Sequence, residues 1–339
     1  MEVIAGWTHA VFPINDASRI GEARRYAAQA IGGMEWDDDD AGRLALVVTE
    51  LGTNLLHHAQ QGRLLIAART AAAEIEIVAV DDGPGIENLP RYMMDGVSSG
   101  STPGTGLGAV KRLANDFDVH TVVPDGTVCV ARIRRGRPDF RYVRPAPLHV
   151  GAICVAAPGE RECGDAWAVA LAPDRVCAIV ADGLGHGPEA AKASSAATQA
   201  FARHAGEDPG DVVQCVHQAL QATRGAAVCV TDWDLAGATL AYAGAGNING
   251  RLLSGVFDKS IVTQHGTAGA QIRRPGVATT EVPRYALVLL HSDGIESRWK
   301  PDRLRPVLQR DPTLVAAILW RDHTRHRDDV TVVVLRREE

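Results

Sequence analysis

The sequence predicts a two-domain α/β protein: an α+β layer with helices on one face of a sheet, then two packed sheets flanked by helices. Three observations carry this. Up to residue 133, runs with helical periodicity give way to strand-like runs. Past residue 147, short strand-like runs dominate, with a few helix candidates between them. Between the two lies RRGRPDFRYVRPAP, residues 134–147, charged, without periodicity and holding Pro138, Pro145 and Pro147. It reads as a linker and sets the domains at residues 1–135 and 148–339, with 136–147 between them.

Taken in order, Asp16 is a candidate N-cap for a first helix that Gly32 and Gly33 stop. The acidic residues Asp37, Asp38, Asp39 and Asp40 open a second, because carboxylates favour the positive end of a helix dipole. That helix continues through Leu44, Val47, Val48, Leu51 and Leu55, apolar at helical spacing. GRLLIAART and AEIEIVAVD follow as strands, then a long Gly/Ser-rich loop, a helix from about Gly108, and strands near DVHTVV and TVCVARI. Beyond the linker, HVGAICVAA, AWAVALA, RVCAIVAD, AAVCVTDWD, GATLAYAG, GRLLSGV, ALVLLHSD and DVTVVVL read as strands. Helices are expected at 188–205, 211–222 and 313–320.

The 339 residues are 46 % hydrophobic and 22 % charged, ordinary for a soluble protein, with a formal net charge of −6. Nothing there demands the basic face of a nucleic-acid binder, and no nucleic-acid partner is expected. The one dense basic run, Arg132, Arg134, Arg135, Arg137, Arg141 and Arg144, reads as solvated linker charge. The six cysteines form no CxxC pair, and several sit in apolar runs where a thiol behaves as a small hydrophobe. A reduced, cytoplasmic protein is expected. No stretch approaches about 18 apolar residues. The opening residues also lack the basic and apolar regions of a signal peptide. No membrane partner is expected.

Three segments of the first domain belong together. Glu50-Leu-Gly-Thr-Asn54 lies in the second helix, where residues four apart share a face. The pair interrupts an otherwise apolar helix and can place a general base beside a Mg2+ ligand, since Mg2+ on a phosphate substrate takes only one or two protein oxygens. Asp81-Asp-Gly83-Pro-Gly85-Ile follows a strand directly. An aspartate at a strand end can accept from the amino group of adenine, and glycines let backbone approach a flat base. An ordinary Asp-Gly turn is the competing reading. Gly104-Thr105-Gly106-Leu107-Gly108 precedes a helix and offers N–H groups to phosphates. A Rossmann reading fails on order: a long loop rather than a strand precedes the motif, and no ribose-binding acid follows a second strand.

In order and spacing, ELGTNLLHHA, DDGPGI and TGLGAVKRLANDFDV resemble the N, G1 and G2 boxes of the GHKL (Bergerat-fold) ATPases. Within that group the likeness is to the small anti-sigma-factor serine kinases of RsbT and SpoIIAB type, over about residues 10–135. The resemblance implies a Bergerat-fold α/β sandwich that binds ATP with Mg2+. Glu50 would be the catalytic base, Asn54 the Mg2+ ligand, and Asp81, with Gly83 and Gly85, the adenine reader. Residues 96–108, including Gly104, Thr105, Gly106, Leu107 and Gly108, would form the ATP lid. His57 and His58 read as structural residues rather than phosphoacceptors. Related kinase domains often dimerise, so a homodimer is an open expectation.

The second domain carries four aspartate motifs beside strand-like runs: Cys163-Gly-Asp165, Asp182-Gly183-Leu-Gly-His-Gly187, Ser292-Asp293-Gly294 and Asp328-Asp329-Val-Thr331. Any one of them reads as a tight turn. Together, carboxylates converging from separate strands suit hard cations such as Mg2+ or Mn2+, and two such ions suit in-line attack of water on a phosphoester. GDAW, VADGLGHG, LHSDGIES and DDVTVVVL resemble the motifs of the metal-dependent (type 2C, PPM) phosphatases of the SpoIIE, RsbU and RsbX branch, over about residues 148–337. The resemblance implies an α-β-β-α sandwich and a serine/threonine phosphatase. Its two Mn2+ or Mg2+ ions would be held by Asp165, Asp182, Asp293, Asp328 and the Gly183 carbonyl. Asp182 would be essential to catalysis, and Asp328 is favoured over Asp329. Cys163 departs from the family, where glycine is common. His186 reads as a turn residue between glycines rather than a general acid.

Together the resemblances imply a bifunctional switch enzyme of the bacterial partner-switching kind. It would phosphorylate and dephosphorylate Ser/Thr of a STAS-domain (anti-sigma-antagonist-like) protein. Two alternatives stay open: the N-terminal domain only senses ATP, or it binds a sigma factor as an anti-sigma factor.

Overall fold

The computed structural model describes residues 1–93, 106–136 and 148–337. The chain divides into two compact units, His9–Arg144 and a second made of Met1–Thr8 with Pro145–Glu339. Residues 1–8, assigned to the N-terminal domain from the sequence, thus pack in the other unit. There β1 (Glu2–Ala5) supplies an edge strand. The Trp7 ring meets the Trp167 ring edge-on at 4.5 Å, and the Gly6 N–H donates to the Trp167 carbonyl at 2.8 Å.

In the unit from His9, β2 (Ala10–Pro13) leads to α1 (Ala17–Ala30) and α2 (Asp38–His58). Asp16 caps α1 by accepting from the Ser18 and Arg19 N–H groups, and Asp37 caps α2 from Asp40 at 2.8 Å. β3 (Arg63–Arg69), β4 (Glu74–Asp81), short helices α3 (Leu89–Tyr92) and α4 (Leu107–Leu113), β5 (Asp116–Thr121) and β6 (Thr127–Arg134) follow. The strands form an antiparallel sheet in the order β2-β3-β4-β6-β5. Alternate residues Ile75, Ile77 and Ala79 of β4 and Cys129, Ala131 and Ile133 of β6 pack in one core with Leu44, Val47, Val48, Leu51 and Leu55 of α2.

The residues between them point to the other face, where Glu74, Glu76, Arg132 and Arg134 carry charge beside Val78 and Val130. Glu76 meets His9 Nε2 at 3.2 Å, Arg132 Nε at 2.7 Å and Arg69 Nη1 at 3.4 Å. Glu74 meets Arg69 at 2.7 Å and Arg134 at 3.0 Å, and Arg134 also reaches Asp116 at 2.8 Å. The reading of Arg132 and Arg134 as solvated linker charge is therefore corrected. Both lie in β6, and Arg132 is 6 % exposed. Arg137, Arg141 and Arg144 lie outside the described residues.

In the second unit the elements are β7 (Leu148–Val155), β8 (Asp165–Leu171), β9 (Arg175–Gly183), α5 (Pro188–His204), α6 (Pro209–Ala219), β10 (Ala226–Asp234), β11 (Thr239–Ala245), β12 (Asn249–Leu253) and β13 (Asp258–Val262). The hairpin of β14 (Gly266–Thr267) and β15 (Gln271–Ile272) follows, then β16 (Ala278–Glu281), β17 (Leu287–His291), α7 (Pro312–His323) and β18 (Val330–Arg337). One sheet runs β1-β8-β9-β10-β11-β16 and another β13-β12-β17-β18-β7. Helices α5 and α6 bury Ala193, Ala197, Phe201, Val212 and Val216 against the first sheet, while α7 covers β7 and β18 of the second. The order is helix, sheet, sheet, helix. Among the described residues no helix is long and apolar enough to cross a membrane, and all six cysteines are free thiols.

Candidate functional site

The antiparallel register of β8 and β9 sets Asp165 directly opposite Asp182. Asp293 follows β17, and Asp328 and Asp329 precede β18, so the second sheet brings its carboxylates near enough to act on Asp182 electrostatically. Burial first, then the charges of Asp165, Asp293, Asp328 and Asp329, push the Asp182 carboxyl up to about 9. Burial, with Asp329 and Asp328 nearby, raises Asp165 to about 7 against the opposing hydrogen bond from Ser292. Burial and Asp328 also raise Asp293 and Asp329.

Carboxylates that repel one another in a dry site form a ready cation site. Asp165 Oδ1 is buried without a hydrogen-bond partner among the described residues, an acceptor left for a ligand. Among the described residues no three His, Cys, Asp or Glu side chains converge on one point as a metal shell. Mg2+ and similar ions keep several waters and take one or two carboxylates each, so two ions sharing this cluster fit the side chains present.

The remaining contacts fix the cluster. Ser292 Oγ donates to Asp165 Oδ2 at 2.6 Å and accepts the Thr331 N–H at 3.0 Å. Asn247 Nδ2 donates to Asp293 Oδ2 at 2.6 Å. Asp329 is 3 % exposed and accepts the Ala157 N–H at 2.8 Å. Gly183 admits α5: a methyl group there would lie 2.2 Å from the Ala190 carbonyl oxygen. His186 Nδ1 meets Glu160 Oε1 at 2.7 Å. The ring is thus held by a carboxylate as well as by its turn. Sequence reasoning assigned no role to Ser292 or Asn247, and weighed Asp329 only as the alternative ligand to Asp328. For Ser292 the signal was adjacency to Asp293; Asn247 is brought in only by the tertiary fold.

In the first unit Glu50 and Asn54 sit one turn apart on α2, both half-buried. Burial raises the Glu50 carboxyl above its ordinary range. Asn54 Nδ2 is buried with no hydrogen-bond partner among the described residues, a donor without an acceptor. Asp81 ends β4, and its Oδ1 accepts the Gly83 N–H at 2.7 Å, so the turn anticipated as a competing reading is made by one carboxylate oxygen. Gly85 has φ +72°, and a methyl group there would lie 2.5 Å from the Val122 carbonyl oxygen. The Ile86 N–H donates to Thr121 Oγ1 at 2.8 Å, and Thr121 pairs with Thr127 at 3.1 Å. Thr127 lies opposite Asp81 across β4 and β6, a polar neighbour that sequence reasoning missed. Gly106, Leu107 and Gly108 open α4, a helix of seven residues. Gly104, Thr105 and most of the expected lid lie outside the described residues.

Comparison with known proteins follows the same division. Residues 13–133 match the histidine kinase-like ATPase domain, and residues 172–338 match the stage II sporulation protein E family. The serine/threonine-protein kinase RsbT of Bacillus subtilis (strain 168) is 34 % identical over 90 residues, covering 26 % of this chain and 68 % of that protein. Among solved structures, one described as the bacterial stressosome, a modular system adapted to control secondary messenger signalling, is 29 % identical. That match covers 56 % of this chain and 100 % of the other, with a TM-score of 0.53. RsbX in complex with magnesium is 21 % identical, covering 58 % of this chain and 98 % of its own, with a TM-score of 0.51, a likeness of fold.

Proposed function

Because the chain belongs to the histidine kinase-like ATPase family of RsbT and continues into a stage II sporulation protein E domain, we propose that it is a bifunctional protein switch. Its first domain would use ATP and Mg2+ to phosphorylate a serine or threonine of a STAS-type partner, and its second would remove the phosphate. The observation that carries this reading is the desolvated carboxylate cluster, assembled from both sheets in the same chain as a complete Glu50–Asn54–Asp81 set.

In the first domain, the raised carboxyl of Glu50 draws the proton from the partner's hydroxyl as that oxygen attacks phosphate; a base lifted toward neutrality takes it more readily. Asn54 would hold Mg2+ through its amide oxygen and turn its N–H, without a partner among the described residues, toward a phosphate. The Asp81 carboxylate would accept from the adenine amino group, and Gly83 and Gly85 would keep the backbone thin beneath the base.

In the second domain, Asp165, Asp182, Asp293 and Asp328, with the Gly183 carbonyl, would hold two Mn2+ or Mg2+ ions. When bound, such ions polarise the phosphoryl group and activate water. Ser292 keeps one Asp165 oxygen engaged and leaves the other open, and Asn247 orients Asp293. The carboxylates would set the positions of the reacting groups.

The test is incubation of the full chain with ATP, Mg2+ or Mn2+ and a candidate STAS protein, followed by phosphosite mapping. The expected result is transfer to the partner and release of phosphate from the phosphorylated partner; absence of both defeats the reading. Glu50→Ala is expected to abolish transfer with ATP affinity nearly unchanged. If the wild-type chain binds ATP but transfers nothing, the domain is a nucleotide sensor. A stable complex with a sigma factor and no phosphotransfer would make it an anti-sigma module.

A further inference from the structure

Five acidic residues meet in the second unit, and one of them behaves unlike the rest. Asp329 is wedged between the two glycines that flank expected ligands. Its carboxylate oxygen Oδ2 lies where a methyl group on Gly164 would come within 2.5 Å, and its backbone carbonyl lies where one on Gly294 would come within 2.1 Å. Gly164 precedes Asp165, and Gly294 follows Asp293. The remaining oxygen, Oδ1, takes the Ala157 N–H at 2.8 Å, which closes the loop from Ala157 to Gly164. That loop is tied onward to β9, because the Gly164 carbonyl accepts the Gly183 N–H at 3.1 Å. A second tie crosses the sheets nearby, where Ser292 Oγ donates to Asp165 Oδ2 at 2.6 Å while accepting from Thr331. Among the described residues Asp328 makes no such tie to the loop; its Oδ1 accepts its neighbour's N–H at 3.0 Å.

We infer that Asp329 and Ser292 are positioning residues: a two-point clamp from the second sheet that holds Asp165, on the first, at the spacing two divalent cations require. This rests on the metal-site reading above and adds how the chain builds that site. The ligands come from two sheets that share no backbone hydrogen-bond ladder, so their separation depends on side chains that cross the gap. Groups that orient ligands without touching the ion commonly change affinity by about 10- to 100-fold when removed.

The experiment is calorimetric titration of the full chain with Mn2+ alone. Two ions per chain are expected for the wild type. Asp329→Ala and Ser292→Ala should still bind two, each about 10- to 100-fold more weakly, and phosphatase turnover should return at high Mn2+. Asp329→Asn, which keeps the shape and one acceptor for Ala157, should recover part of the affinity. Asp328→Ala should lose an ion, and high Mn2+ should not rescue it. Should Asp329→Ala fail to fold, Asp329→Asn and Ser292→Ala carry the test. Loss of an ion in an Asp329 variant would make Oδ2 a ligand and overturn the clamp; unchanged affinity in both Asp329 and Ser292 variants would overturn it as well. A wild-type chain that binds no Mn2+ would defeat both the clamp and the metal-site reading, whereas normal wild-type binding with indifferent variants would defeat the clamp alone.

Discussion

Glu76 in the first unit and Asp182 in the second are both carboxylates withdrawn from water, with opposite results. Burial alone would raise Glu76, but Arg132, Arg69 and His9 more than offset it and hold the carboxyl well below the usual range. At Asp182 burial and four further aspartates act in the same direction, and the carboxyl rises to about 9. The first group is balanced by its own chain and is finished as a structure. The second is a concentration of like charge that a bound proton or a cation from outside relieves. Burial of charge therefore does not by itself mark a reactive site; the sign of the neighbours does.

Removing a partner from the balanced group should cost most. Arg132→Met leaves Glu76 buried with its main partner gone, and about 3–5 kcal/mol of stability should be lost from the first unit. Urea unfolding followed by a probe in that unit checks this; a loss under 1 kcal/mol would mean the network is not a stabilising balance. Asp182→Asn should lower phosphatase turnover by roughly 10²- to 10³-fold, the scale of removing one fixed electrostatic group, and assay on a phosphorylated peptide measures it.

The pH response is gentler. The folded carboxyls of Asp165 and Asp182, at about 7 and about 9, lie above the unfolded value near 4. The native chain therefore holds more protons than the unfolded one across that window, and stability falls as pH rises through it. Melting in a chelator from pH 5 to pH 9 should show the second unit's transition descending, and Mn2+ should flatten it; a rise with pH would contradict the like-charge cluster. Smallest is a gain: in the chelator at pH 7, Asp182→Asn should raise that transition by about 2–4 °C, as expected for roughly 1 kcal/mol in a domain of this size. A drop would mean Asp182 is already balanced as Glu76 is.

Much of this was legible in the residues. The caps at Asp16 and Asp37, the apolar spacing of α2 and the apolar strand runs place most elements, because each signal is local. The aspartate motifs were visible as motifs. That Asp165 faces Asp182 was not, since it depends on the pairing of β8 with β9. Strand β1 escaped notice because it is four residues long and gains its place only from Trp7, Gly6 and a strand far along the chain. Arg132 and Arg134 were obscured by the basic residues that follow them. Their period-two match with Glu74 and Glu76 on the neighbouring strand was the available signal, yet it becomes compelling only when β4 and β6 are known to be adjacent. The division of labour between Asp328 and Asp329 is a matter of which way adjacent side chains turn, and sequence order carries no such information.

Strand β1 also sets an order of events during synthesis. It leaves the ribosome well ahead of its partner, since Ala5 pairs with Ala168, which is made only after the whole unit from His9 to Arg144. At roughly 5–20 residues per second the wait is on the order of 8–30 s, long enough for the nucleotide-binding unit to fold in between. A chain severed between the units after residue 136 would separate β1 from β8 for good, and leave the outer backbone groups of β8 bare, open to pairing with a stranger.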